Sequence, residues 1–102
     1  MAIWNDCTME SYYPGQESTQ SNCVVRIGSG RLVVEYQESG RTHSYSGPEE
    51  GAGHYRLIST THDARGTLHM FPNEDVLVGE WIENGQEGLW RIYLDGLVEP
   101  QR

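Results

Sequence analysis

Four histidines, two cysteines and two carboxylate pairs are the residues of this chain whose types could carry chemistry. His43, His54, His62 and His69 could ligate a metal or move a proton, but no HxH or HxxxH pair occurs and no ligand spacing recurs. Cys7 and Cys23 stand sixteen positions apart, without the close pairing of a zinc site or a CxxC redox motif. There is no GxSxG elbow, and neither cysteine has a histidine beside it in sequence. Glu49-Glu50 and Glu74-Asp75 lie in loops bounded by Gly or Pro; acid–base work would need a pocket that moves one pKa. Glycines 47, 51 and 53 make no phosphate cradle, since no helix follows and Glu49-Glu50 repel an anion. The sequence therefore assigns no catalytic residue, no metal ligand and no cofactor, and leans away from an enzyme.

The aromatic side chains say more. Six Tyr and three Trp supply large burying faces in a chain of modest aliphatic content. Residues 76–94 read VLVGEWIENGQEGLWRIYL, with Trp81 and Trp90 on either side of a glycine-bounded turn. A loop of Asn84–Glu87 would pair Trp81 with Trp90. A two-residue Asn84-Gly85 type I′ turn would set Trp81 against Gly88, with Trp90 diagonally adjacent. Both loops are even in length, so both put the two indoles on one face. That face carries Leu77, Gly79, Trp81, Trp90, Ile92 and Leu94, is uncharged, and is expected to point inward. The opposite face carries Val78, Glu80, Ile82, Leu89, Arg91 and Tyr93, with Glu80 and Arg91 expected to pair across the strands. Gly79 leaves room for a ring to lie over the backbone.

Short apolar alternations between turn residues must position these groups. Thr8–Tyr13 reads as a first strand ended by Pro14-Gly15, and the polar Gln16–Asn22 as a loop. Cys23–Ile27 and Arg31–Gln37 flank Gly28-Ser29-Gly30 as a hairpin, and Arg41–Ser46 is a polar strand suited to an edge or rim. His54–Thr60 and Thr67–Phe71 follow, and the Trp hairpin completes the series. About eight strands at this spacing predict an all-β, antiparallel up-and-down meander closing into a small barrel. Closure removes the exposed edges; the alternative is a curved open sheet that pairs as a homodimer. One domain is expected over 1–102, with 1–22 partly irregular and 95–102 a tail. The glycine-rich GPEEGAG, residues 47–53, is either a plain solvated loop or a lid over the barrel mouth.

All seven basic residues are Arg, against fifteen Asp and Glu, for a net charge of −8. Such a chain repels phosphate backbones and anionic membrane surfaces, so neither nucleic acid nor membrane is an expected partner. No stretch approaches the roughly 20 apolar residues of a membrane span, and MAIWNDCTMES lacks the features of a secretion signal. A cytoplasmic setting with reduced Cys7 and Cys23 follows. The acidity also admits a second partner class, a basic protein, with this chain acting as a nucleic-acid mimic. Gathering of Glu80, Glu83, Glu87 and Glu49-Glu50 on one face would mark such a surface.

Gly79-Glu80-Trp81, a turn, and Trp90-Arg91-Ile92-Tyr93-Leu94 together resemble the closing hairpin of calycin-type barrels, the avidin and lipocalin group. The resemblance implies an up-and-down barrel holding a small, partly apolar ligand at its open end. The lipocalin Gly-x-Trp belongs to the first strand, where this chain reads Ala2-Ile3-Trp4, and no ligand-binding residue carries over. VGEWIENGQEG also resembles one MORN repeat, but a single copy cannot bury its own face. The expected function is non-enzymatic binding of a small, partly apolar molecule in the barrel mouth. Tyr36, Tyr55, Trp81 and Trp90 would form aromatic walls, with His43, His54 and His69 as polar anchors at the rim. An isomerase- or hydratase-like activity would instead need a buried histidine beside an Asp or Glu.

Overall fold

The computed structural model describes residues 1–98, which form eight antiparallel strands in chain order. These are β1 (Ala2–Tyr13), β2 (Gln16–Gly28), β3 (Arg31–Glu38), β4 (Arg41–Pro48), β5 (His54–Ser59), β6 (Ala64–Met70), β7 (Val76–Glu83) and β8 (Gln86–Tyr93). Each strand pairs with its neighbour, and β1 pairs with β8 from Thr8↔Tyr93 to Tyr12↔Leu89, closing the barrel. The open-sheet alternative is thereby overturned: the last strand finds the first, and no long edge is left to recruit a second copy. Among the described residues, no helix is long and apolar enough to cross a membrane.

Period-two alternation explains the core. Cys7, Cys23, Val25, Leu32, Val34, Leu57, Leu68, Leu77 and Ile92 are fully shielded, and their outward neighbours are polar or half-exposed. The register carries one row through Glu10, Arg91, Val78, His69 and His54. A row that starts near the end of β1 thus arrives at the first residue of β5. That stagger tilts the strands, as closure of a barrel requires, and it separates the barrel into two unlike ends.

The turns after β1, β3, β5 and β7 lie at one end; those after β2, β4 and β6 lie at the other. At the second end the interior is plugged. Residues 47–53, considered above as a lid, are tied down there rather than poised over an opening. Glu49 N donates to Gly30 O at 2.8 Å, Gly53 N to Glu49 Oε2 at 2.9 Å, and Met70 N to Gly53 O at 2.7 Å. Gly53 at φ 71° lies so close to Met70 O that a Cβ could not be accommodated.

Three further expectations change. Gln16–Asn22 is not a loop, because β1 and β2 are long strands that pair from Ala2↔Ile27 to Tyr13↔Gln16, the pairing being irregular where the register shifts on either side of Cys7. Arg41–Ser46 is not a free edge, because Tyr45 and Ser46 pair on both sides, while Arg41 stands exposed at the rim. The segment expected as a tail is in part structural. Asn5 N donates to Gly96 O, Asp6 N to Asp95 O and Val98 N to Ile3 O, extending the seam beyond the end of β8. The remainder of that tail, 99–102, lies outside the described residues.

Candidate functional site

The first end of the barrel is open, and the inward side chains above the core enclose a recess of about 420 Å³. Its floor is Met9, Tyr45 and Trp90, all buried. Trp90 donates from Nε1 to the Thr67 carbonyl at 2.9 Å, and its ring meets Tyr45 edge-on at 5.0 Å between centroids. Gly66 makes room for it: a Cβ there would sit 3.0 Å from Trp90 Cζ2. Trp81 forms a wall. Its indole lies over Gly88, where a Cβ would collide with the ring, and Nε1 donates to Leu89 O at 3.2 Å. Tyr13 meets that indole edge-on at 5.9 Å.

Polar groups complete the recess. Ser11 and Ser18 come from β1 and β2, Gln16 and Gln86 from strand starts, and Asn84 from the β7–β8 turn. Glu38 and Glu83 end β3 and β7 and are the only formally charged side chains in the lining. Burial, then the neighbouring Tyr45 and the Glu38 and Glu83 carboxylates, pushes the Tyr36 hydroxyl far above its ordinary range. Burial followed by Glu83 moves Tyr45 up to about 12. Both phenols therefore remain protonated donors at any physiological pH.

Behind Glu83 stands His62, whose Nε2 is shielded from solvent 3.3 Å from Glu83 Oε2, off the line of a hydrogen bond. Its Nδ1 lies 3.0 Å from Ser59 Oγ, 3.1 Å from Thr61 Oγ1 and 3.4 Å from His43 Nδ1. Ser59 Oγ also accepts the backbone N–H groups of Thr61 and His62, which fixes the β5–β6 turn. A histidine beside a glutamate is thus present. His62 does not line the recess; it stands beside Glu83 without a hydrogen bond to it.

The structure brings three of the seven expected site residues together at the recess: Tyr36, Trp81 and Trp90. His43 lies one layer back, stacked on Tyr36 at 5.2 Å and edge-on to His62 at 4.9 Å. His54, Tyr55 and His69 are elsewhere. Tyr55 is buried in the plugged end, and His54 and His69 pair directly across β5 and β6 with ring centroids 4.0 Å apart. Two physical reasons apply: His54 and His69 have outward parity, in the row of Val78 and Arg91, and Tyr55 points inward but lies at the far end of the barrel axis. Among the described residues, no group of three or more His, Cys, Asp or Glu is placed to hold a metal.

Ser11, Tyr13, Gln16, Ser18, Glu38, Tyr45 and Glu83 were not among the expected site residues. Their signal was parity. Tyr13 and Ser11 continue the inward series of Cys7 and Met9, and Glu38 continues Leu32, Val34 and Tyr36. The series turns polar where it leaves the core, which made Gln16–Asn22 read as a loop.

The Trp hairpin adopts the two-residue turn. Glu83 pairs with Gln86 and Gly79 with Trp90, while Asn84 and Gly85 take φ of 52° and 79°. Glu80 faces Leu89, not Arg91. Arg91 donates instead to the Tyr93 hydroxyl at 3.0 Å, which donates to Glu10 at 3.1 Å. The five acidic residues do not all gather on one face: Glu80 and Glu87 line one outer groove together, while Glu83 lies in the recess and Glu49 and Glu50 at the opposite end of the barrel.

Replacing Trp90 with Phe removes the donor to Thr67 O and leaves a void between Tyr45 and Gly66. We expect Trp90→Phe to cost about 1–3 kcal/mol in urea denaturation, with the barrel's far-UV spectrum retained. A loss under about 0.5 kcal/mol would mean that the ring contributes little to the floor. No protein family matches this chain, and no curated protein or solved structure shows significant similarity to it.

Proposed function

We propose that this barrel binds a small, partly apolar molecule at its open end without transforming it, in the manner of calycin-type barrels. The observation that carries the reading is the recess itself. About 420 Å³ lies within the size range of small-molecule sites, and the recess joins aromatic rings to a mainly polar lining. Ligand surface would be buried against Trp81, Tyr13 and Tyr36, while Ser11, Ser18, Gln16 and the two phenols fix orientation through hydrogen bonds. The dispersal of Glu80, Glu83 and Glu49-Glu50 gives the basic-protein alternative no continuous surface to act through. Cys7 and Cys23 stand opposite each other as free thiols, which supports a reducing, cytoplasmic setting.

The test is a ligand-observed NMR screen with a mixed set of neutral, anionic and cationic small molecules, read alongside the indole signal of Trp81. Binders are expected to perturb that signal and to be lost in Ser18→Trp, a half-buried position whose enlarged side chain would fill the recess. Binding that survives in Ser18→Trp, or no binder at millimolar concentration, would defeat the reading.

A further inference from the structure

We propose that the ligand taken by this recess is a small organic cation, an ammonium or substituted ammonium group carried on a short apolar frame. This inference rests on the reading that the recess is a binding site, and adds the charge of what enters it. Three observations carry it.

The first is the sign of the lining. Glu38 and Glu83 project into the recess from two strands that are not neighbours, and among the described residues no Arg lines it. Arg41 stands opposite Glu38 in the register, exposed at the lip, and among the described residues it makes no ion pair with that carboxylate. Glu38 receives only Gln20 Nε2 at 3.5 Å, and Glu83 has only the imidazole of His62 beside it. Within a partly desolvated mouth, carboxylates without a cationic partner set a negative potential that a ligand cation would relieve.

The second is the aromatic enclosure. The rings of Tyr36 and Tyr45 stack at 6.5 Å with an interplanar angle of 12°, Tyr45 meets Trp90, and Trp81 rises opposite with Tyr13 at its edge. Tyr36, Tyr45 and Trp90 pack on one another as the buried floor, and the partly exposed Trp81 and Tyr13 above them are the rings open to a cation, which the ring quadrupole attracts most strongly where water is excluded. Neutral or anionic ligands would gain the apolar contact but not this term. Anions would in addition meet Glu38 and Glu83.

The third is the setting of Glu83. Its Oε2 lies 3.3 Å from the shielded Nε2 of His62, which makes no hydrogen bond to it, while Ser59 and Thr61 hold the other ring nitrogen. Among the described residues, no side chain donates a hydrogen bond to Glu83, so its oxygens are open to a ligand cation.

The experiment compares two soluble pairs of like shape and opposite charge state: choline with 3,3-dimethyl-1-butanol, and benzylamine with benzyl alcohol. Affinities are measured by calorimetry and by the Trp81 indole shift at low ionic strength. Each cation is expected to bind about tenfold or more tightly than its neutral partner, and Glu83→Gln with Glu38→Gln to remove most of that difference. Equal binding within each pair, seated at Trp81, would overturn the cation inference and leave the binding site standing. Failure of all four probes and of the mixed set to bind would remove both. Since both carboxylates sit at strand ends above the core, the double variant should melt as the parent does. If it does not, the paired comparison in the unaltered protein still decides.

Discussion

Gly79→Ala is expected to cost the barrel about 3 kcal/mol or more, against about 1 kcal/mol for Gly85→Ala. Gly79 faces inward on β7 directly across from Trp90, and a Cβ there would collide with the carbonyl oxygen of Thr67 and press on Leu68 Cα. Those atoms are backbone of β6 and cannot rotate away. Moving them also pulls Thr67 O off the Trp90 indole, whose 2.9 Å bond ties the recess floor to β6. Packing and hydrogen bonding therefore fail together, which lifts the cost above that of ordinary overpacking. Gly85 has open space around it, so its penalty is only that of a φ of 79°. Urea denaturation followed by tryptophan fluorescence gives both numbers. Equal costs at the two positions would show that β6 and β7 do not approach as described.

The second large effect is alkaline. Burial pushes Cys23 from its ordinary 9.0 up to about 11, with Cys7 opposite adding to it, and burial with Glu83 moves Tyr45 from 10.0 up to about 12. Tyr36 rises further still, chiefly by burial. Each of these groups keeps its proton longer when folded than when unfolded. Between the two values the unfolded chain binds fewer protons, so stability falls as pH rises. Below about pH 9 the contribution is intact; the loss begins there with Cys23 and steepens above about pH 10 with the tyrosines. At about 1.4 kcal/mol per pH unit and group, Cys23 and Tyr45 together remove about 5 kcal/mol by pH 12, comparable to the whole stability of a small domain. Urea midpoints taken from about pH 8 to pH 11, with tyrosinate absorbance, should show the fall, and Tyr45→Phe should make it shallower. A flat profile to about pH 11 would contradict the burial of both groups.

Much of the barrel was legible because its core obeys one rule. Val25, Leu32, Val34, Tyr55, Leu57, Leu68, Leu77, Trp90 and Ile92 are buried while the residues beside them are more exposed, and Gly or Asn punctuates most of the turns between strands. Parity alone put Trp81 and Trp90 on the inner face. It failed where the inner face stopped being apolar. Gln16, Ser18 and Ser11 point inward like the core residues below them, but they line the open recess rather than packing in the core. A polar inward residue and a loop residue look alike in a sequence.

The site itself was half legible, for a different reason. Aromatic content announced a wall but not its height along the barrel axis. His54 and His69 have the outward parity of Val78 and Arg91, which leaves them on the outer wall, while Tyr55 points inward but sits at the start of β5, away from the mouth. Glu38 and Glu83 are far apart in the chain and gain a common purpose only because β3 and β7 end at the same mouth.

By itself, then, the sequence determined the strands, the turns and which side chains point inward, since those depend on neighbours two residues away. Tertiary structure alone decided closure, the open and plugged ends, and the meeting of Glu38, Glu83, Tyr36 and Trp81. Shear is a property of the whole ring of strands, and no local stretch of residues contains it.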